Sequence, residues 1–439
     1  MTLAILADDL TGACDSAVPF ARRGLATRVL LAARPVAVGS DDPVDVVAVD
    51  ADSRPLSRRL AVARTTLVAR ALRTSKTTRL FKKVDSTLRG HVGPELLACM
   101  RAWESPMALL CPAFPATGRW VQGGEIFVDR RGSLGPVATL AGLPADRRTR
   151  HLGLDTLRAG TDAVQEALAT LARAGARVVV ADADTPGHLT TLVEAASRYA
   201  DGVLLAGSGG LAAALAEWLV HATSIAGPGP GGPTLGTRSD PFAESSPIAE
   251  PHGPPWLVVA GSQTEVTHHQ VVELARAGAE VLELDVDDLL ARPSVATSAG
   301  RRAAALLDED VTPVIRLTVP SSSEFARLTS TRLDERAARA LARVCRVATE
   351  RAIPSGLFLT GGSTARACLL ALGVSGLRLE REPLPGIAAG VALGGAWDGR
   401  PVITKSGGFG APDAMRRLVR PRSPGRVSLS LARPSPPVA

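Results

Sequence analysis

Short apolar runs recur along the chain, each ended by Asp, Ser, Thr, Gly or Pro and followed by a stretch of helical spacing. In the first half they are TLAILADD, ATRVLLA, DVVAVDADS, TRLFKKVDS, MALLCPAFP, ARVVVADAD and GVLLAGS. Runs this short, apolar almost throughout and bounded by turn residues, predict strands covered on both faces. The Ala/Leu/Arg stretches between them, such as residues 14–24, 56–72 and 162–173, predict helices. From residue 227 to 255 the pattern dissolves into GPGPGGPTLGTRSDPFAESSPIAEPHGPP, which reads as a linker or mobile loop. The rhythm then resumes with WLVVAGSQT, VLELDV, PVIRLTV, GLFLTGGST and PVITKSGGFG.

Strands alternating with helices on both sides of that break predict the α/β class, as two α/β domains with mainly parallel sheets around a central cleft. The expected boundaries are an N-terminal domain over 1–225, a linker over 226–255, a C-terminal domain over 256–415 and a basic, disordered tail over 416–439. A length of 439 residues, long for one core, agrees with two domains.

Composition narrows the partners. Aromatic residues make up only 3% of the chain, too few for the stacking platforms of single-strand nucleic-acid binding. Of the net charge of +7, six positive charges are the arginines 416, 417, 420, 422, 426 and 433, beyond the last acid, Asp413. The remainder is near neutral, which indicates neither a nucleic-acid surface nor a membrane partner. Five scattered cysteines with no C-x-x-C pair read as reduced thiols, and no apolar run reaches membrane-spanning length. The expectation is a soluble, cytoplasmic protein whose sequence is compatible with a homo-oligomer.

Candidate chemistry collects at the ends of the predicted strands. The first ends in two adjacent carboxylates, Asp8 and Asp9, where open α/β sheets gather ligands. Asp9 or Thr11 can alternatively cap the next helix. Three further ends carry DADSR (50–54), KKVDSTLRG (82–90) and CPAFPATGR (111–119). Parallel strands would bring these onto one rim with Arg54, Arg89 and Arg119. Guanidinium forks for a carboxylate and Asp, Ser and Thr for hydroxyls suit a small, polyhydroxylated, anionic ligand.

In the second half, strand ends pair glycines with hydroxyls: Gly261-Ser262-Gln263-Thr264, Thr360-Gly361-Gly362-Ser363-Thr364 and Lys405-Ser406-Gly407-Gly408. Such loops opening helices can cradle phosphates, so a nucleotide site is expected there. A P-loop is absent, and His268-His269 lacks zinc spacing. The turn at 207–212, GSGGLA, matches a dinucleotide fingerprint but lacks the ribose-binding acid about 20 residues on. The turn leaves open an NAD(P)-dependent dehydrogenase, or is instead a tight strand-to-helix turn facing the cleft; a non-catalytic sugar-acid sensor is a separate alternative.

Together, ADDLTGA, DSR, KKVDSTLRG, CPAFPATGR, AGSQTEVT, TGGST and KSGGFG, in that order along nearly the whole chain, resemble the four-carbon acid sugar kinase family. The resemblance implies an ATP-dependent kinase of acids such as threonate, erythronate or an oxo-tetronate, with a substrate domain first and a nucleotide domain second. It implies acid-sugar binding by Asp9, Arg54, Lys83, Asp85, Ser86, Thr87 and Arg89, with Arg119 beside them. It implies ATP binding by Ser262, Gly361, Gly362, Ser363, Thr364 and Gly407. Asp9 is expected to orient or deprotonate the attacking hydroxyl, ahead of Asp8 and Asp85. Arg54 and Arg89 would hold the substrate carboxylate, and Lys83 would offset charge on the transferred group. Mg²⁺ is expected with the nucleotide, its ligands unknown. The chain departs from the family pattern at His91 and Gly408, where Asn is usual.

Overall fold

In the computed structural model of the chain, the described residues are 2–31, 44–74, 77–129, 131–199, 202–226, 255–319 and 331–419. The expected linker, save its end residues, and the tail beyond residue 419 lie outside them.

The strands of the first half are β1 (Thr2–Ala7), β2 (Thr27–Leu31), β3 (Val46–Asp50), β4 (Thr77–Lys83), β5 (Met107–Cys111), β6 (Arg119–Gln122), β7 (Glu125–Val128), β8 (Gly132–Pro136), β9 (Thr149–Leu152), β10 (Val178–Ala181) and β11 (Val203–Gly207). Those of the second are β12 (Leu257–Ala260), β13 (Glu280–Asp285), β14 (Pro313–Thr318), β15 (Leu357–Thr360), β16 (Gly376–Leu384), β17 (Ile387–Leu393) and β18 (Pro401–Lys405). Helices connect most of them, so the fold is mixed α/β, as the apolar rhythm predicts.

Fifteen of these strands form one continuous sheet, in the order β13-β14-β12-β15-β18-β17-β16-β2-β3-β1-β4-β11-β5-β10-β9. Pairing is parallel within the first half and from β13 to β18. The halves are stitched together by antiparallel pairing of β16 with β2 and by the β16–β17–β18 meander. Continuous apolar runs cannot reveal β16, because it alternates: Leu377 and Leu379 are buried while Arg378 and Glu380 turn outward. Such alternation marks an antiparallel strand with one wet face. The same limit hides the small antiparallel sheet β6-β7-β8, whose strands are only four or five residues long and mix apolar with polar positions.

Chain order fixes where the site lies. β1 is flanked by β3, which the chain reaches by way of β2, and by β4 on its other side. β12 is likewise flanked by β14 and β15. Each half therefore has a switch point at the carboxyl end of its first strand, where such sheets bind ligands. Asp8 and Asp9 follow β1, and Gly261 and Ser262 follow β12.

Two boundaries differ from expectation. The first helix runs Leu10–Ala21 rather than from Cys14, because Asp9 caps it. Residues 416–419, assigned to the tail, belong to the helix Ala414–Val419, whose Met415, Leu418 and Val419 pack into an apolar cluster with Trp256 and Leu274.

Candidate functional site

The acidic wall is built at the ends of β1, β3 and β4. The Asp9 side chain caps the helix Leu10–Ala21: Gly12 N–H donates to Oδ1 at 2.8 Å, and the Thr11 hydroxyl donates to Oδ2 at 3.1 Å. Arg54 Nη1 also donates to Asp9 Oδ2, at 2.6 Å. Behind it, Asp8 is buried and takes the rest of the same guanidinium, from Nε at 2.8 Å and Nη2 at 2.9 Å. Burial alone would raise the Asp8 carboxyl, but the Arg54 charge and hydrogen bonds outweigh it and hold the group below its ordinary range. Asp85 lies 3.7 Å from Arg54 and accepts from Arg89 Nη2 at 2.7 Å and from the Thr87 hydroxyl at 2.6 Å. Its burial is likewise outweighed by Arg54 and Arg89, which keep it ionised far below the usual carboxylate range.

Arg54, expected to meet a substrate carboxylate, is therefore engaged by the chain's own carboxylates. A planar fork between two acids holds both in fixed orientation. Arg89 keeps a largely exposed side chain, at 61%. Lys83 is buried against Asp15 at 3.3 Å, and burial pushes the Asp15 carboxyl up to about 6. Ser86 is buried, and Thr87 serves the turn around Asp85. Arg119 lies over the Phe409 ring of the other half, 4.9 Å from its centroid, and its buried Nε has no acceptor among the described residues. Lys82, beside these, forms a fully buried ion pair with Glu95 at 2.9 Å.

The opposite wall consists of three loops in close contact. A Cβ on Gly261 would fall on Thr364 Oγ1, and one on Gly407 on Ser262 Oγ, so only glycine fits at either position. Gly361 adopts φ +95°, left-handed backbone that favours glycine. It opens the helix Gly362–Ala371, and the N–H groups of Gly362, Ser363 and Thr364 find no acceptor among the described residues. Free N–H groups at a helix start attract anions. The third loop is held from beneath by Lys405, fully buried, whose Nζ donates to the carbonyls of Ser406, Gly407 and Phe409 at 2.8, 3.2 and 3.1 Å. With no carboxylate to offset burial, its ammonium is pushed down to about 7. Thr264 and Thr267 hydroxyls donate to Gly407 O, and Gln270 bonds the carbonyls of residues 409–411.

The two walls enclose a cavity of about 550 Å³. It joins Asp9, Arg54 and Arg89 to Ser262, Gly361, Gly362, Ser363, Thr364 and Gly407. Asp8, Lys83, Asp85, Ser86, Thr87 and Arg119 do not line it. Asp52 and Gln263, from two of the strand-end stretches, also line it, as do Asp334 and Arg366, which lie outside every stretch singled out in the sequence. The signal for Arg366 is a lone arginine in the otherwise apolar run ARACLLAL.

The 207–212 turn does not face this cavity, contrary to expectation. Its glycines press on the segment after β5, where a Cβ on Gly210 would lie 2.9 Å from Ala113 O, and Ser208 donates to that same carbonyl at 2.6 Å. His268 and His269 are ordinary members of the helix Glu265–Arg276. All five cysteines are free and buried, and burial pushes Cys14, Cys99 and Cys111 up to about 12. Among the described residues no three His, Cys, Asp or Glu form a metal cage, and no helix is long and apolar enough to cross a membrane.

Comparisons with known proteins divide the chain as the two walls do. Residues 3–215 match a sugar-binding N-terminal domain, and residues 257–415 match a nucleotide-binding C-terminal domain. The chain is 35% identical over 438 residues to the D-threonate kinase of Cupriavidus necator, across 94% of this chain and 96% of that one. It is 29% identical over 439 residues to the D-erythronate kinase of Heliobacterium modesticaldum, across 93% and 94%. A solved structure from Salmonella typhimurium LT2 superposes with a TM-score of 0.74 over 95% of this chain and 99% of that one; at 21% identity this speaks for the fold alone.

Proposed function

The chain belongs to the four-carbon acid sugar kinase family, and on that premise we propose that it transfers a phosphoryl group from ATP to a hydroxyl of a four-carbon sugar acid. One observation carries the reading. A capped, arginine-bound carboxylate, Asp9, shares a cavity with the free helix start Gly362-Ser363-Thr364 from the other half.

The residues fit a nucleotide. The cradle has no room for side chains at Gly261 and Gly407, and its free N–H groups suit phosphate oxygens. Ser262, Gly361 to Thr364 and Gly407 would hold the nucleotide, which supplies the phosphoryl group. In the absence of a metal cage among the described residues, Mg²⁺ would be held chiefly by the phosphates and water.

On the acid side, Asp9 lines the cavity at the end of β1, opposite the glycine loops, and accepts the proton of the attacking hydroxyl. Asp8 and Asp85 stand behind it and do not line the cavity. Arg54 aligns Asp8 and Asp9. The substrate carboxylate falls to the exposed face of Arg89, with Arg119 set behind the cavity surface. Lys83 offsets negative charge from behind the wall. Catalysis is then mainly positioning and charge balance, as phosphoryl transfer requires.

The test is thermal stabilisation of the purified protein. Mg-ATP should raise the melting temperature, by the equivalent of about 2.7 kcal/mol at a hundredfold excess over Kd. Stabilisation by NAD(P) in place of Mg-ATP would overturn the kinase reading.

A further inference from the structure

Arg366 crosses between the halves. It lies four residues after Gly362, about one helical turn along the same helix. Its side chain is 9% exposed; Nη1 donates to Asp50 Oδ2 at 2.6 Å, and Nε lies 3.1 Å from Asp52 Oδ2. Asp50, the last residue of β3, is fully buried. Its Oδ1 accepts the Asp52 N–H at 2.8 Å, and Asp52 takes left-handed backbone at φ +49°. Non-glycine residues adopt such backbone infrequently, so the surrounding contacts fix the position of the second carboxylate.

This two-carboxylate socket is rigidly tied to the proposed base. Asp50 pairs in register with Ala7, two residues before Asp9. A short path therefore runs from Asp9 through β1 and β3 to Asp50, across the guanidinium, and up one turn to Gly362. At its far end a Cβ on Gly362 would lie 2.6 Å from Asp9 Oδ2. The loop closes on itself, with the Arg366 ion pairs as its side-chain link between the halves.

We infer that Arg366 is a positioning residue: by joining the helix Gly362–Ala371 to Asp50 and Asp52, it sets the separation of that helix start from Asp9 and couples the glycine-loop wall to the acidic wall. The inference rests on the kinase reading for its catalytic meaning, although its mechanical part does not. A fully buried carboxylate, Asp50, beside the half-buried one of Asp52 needs a cation between them, and a bidentate guanidinium supplies charge and geometry that an ammonium does not. Burial already pushes Asp50 up to about 7 despite Arg366. Without the guanidinium the socket takes up protons and releases the helix.

The experiment compares the full-length protein with Arg366→Met and Arg366→Lys. It measures Mg-ATP affinity by calorimetry, kcat and KM with D-threonate, and hydrogen exchange of residues 50–56 with and without Mg-ATP. Wild type should show Mg-ATP slowing exchange at 50–56, although those residues belong to the other half. Arg366→Met, at saturating Mg-ATP, should lose that protection and drop kcat by about 100-fold, a larger factor than its loss of Mg-ATP affinity and the cost of an ångström-scale misplacement. Arg366→Lys should recover only part of both.

Protection retained in Arg366→Met, or a kcat within about threefold of wild type, overturns the inference and leaves Arg366 a structural ion pair. So does an absence of protection in wild type that binds Mg-ATP. If Arg366→Met does not fold, Arg366→Lys and Asp52→Asn carry the same comparison. Failure of wild type to turn over D-threonate counts against that substrate, while the exchange measurement still decides the role of Arg366.

Discussion

Gly362 and Asp9 come from opposite halves of the chain and meet without room for one more carbon: a Cβ on Gly362 would lie 2.6 Å from Asp9 Oδ2 and 3.2 Å from Thr11 Oγ1. Gly362 is in the first turn of a helix and outside the left-handed region, so alanine suits its backbone. Gly362→Ala should therefore keep its melting temperature within a few degrees of wild type. It should still lower kcat/KM at least tenfold, by roughly 1.4 kcal/mol, because the methyl group separates the walls. Steady-state kinetics beside a melting curve would check both halves of that statement.

Asp9→Asn keeps the size of the side chain and an oxygen for the Gly12 N–H, since Asn caps helices about as well as Asp. Its stability should stay close to wild type. Its kcat should fall by about 10²–10⁴-fold through loss of the proton acceptor. Full activity in a folded Asp9→Asn protein would remove Asp9 from the mechanism.

Asp8→Asn should do the reverse, acting first on stability. The carboxylate is buried in two hydrogen bonds with Arg54, and taking one partner from a buried pair costs on the order of 3 kcal/mol. The pH dependence has a definite sign. Asp8 and Asp85 titrate below their ordinary range when folded, so their contribution is present above about pH 4 and is lost as the pH falls below it. Urea unfolding of wild type and Asp8→Asn from pH 7 to 3 should show the gap between them closing toward acid.

Lys405 titrates in the opposite sense. Burial lowers its folded value to about 7, while the unfolded side chain keeps its ordinary one. Between these limits the unfolded chain binds more protons, so the stability of wild type relative to Lys405→Met should grow as the pH rises from 7 toward 10.5, by at most ~1.4 kcal/mol per pH unit. A gap that shrinks over that interval would mean that Lys405 is held as an ammonium by its three carbonyls.

How much of this was legible in the sequence depends on the range of the signal. The pair Asp8-Asp9 stands out because five residues of unbroken apolar strand run straight into two charges. The glycine loops stand out because each follows an apolar run directly. Arg54 could be placed on the rim, but not given its partners, since Asp8 and Asp9 lie 46 and 45 residues away and only the pairing of β1 with β3 brings them together. Arg366 looks like any outward-facing helix residue until the sheet order carries its helix to the end of β3, 316 residues earlier in the chain. The join through β2 and β16 was hidden for a related reason. β16, nine residues long, alternates apolar with polar positions, and its antiparallel partner β2 comes from the other half.

The most direct measurement is ADP release by the purified protein with Mg-ATP across D- and L-threonate, D- and L-erythronate, and the 2-oxo and 3-oxo tetronates. Turnover with at least one of these acids, and its loss in Asp9→Asn with nucleotide binding intact, is the expected result. Nucleotide binding without ADP release for every acid in the panel, or turnover that survives Asp9→Asn, would contradict it.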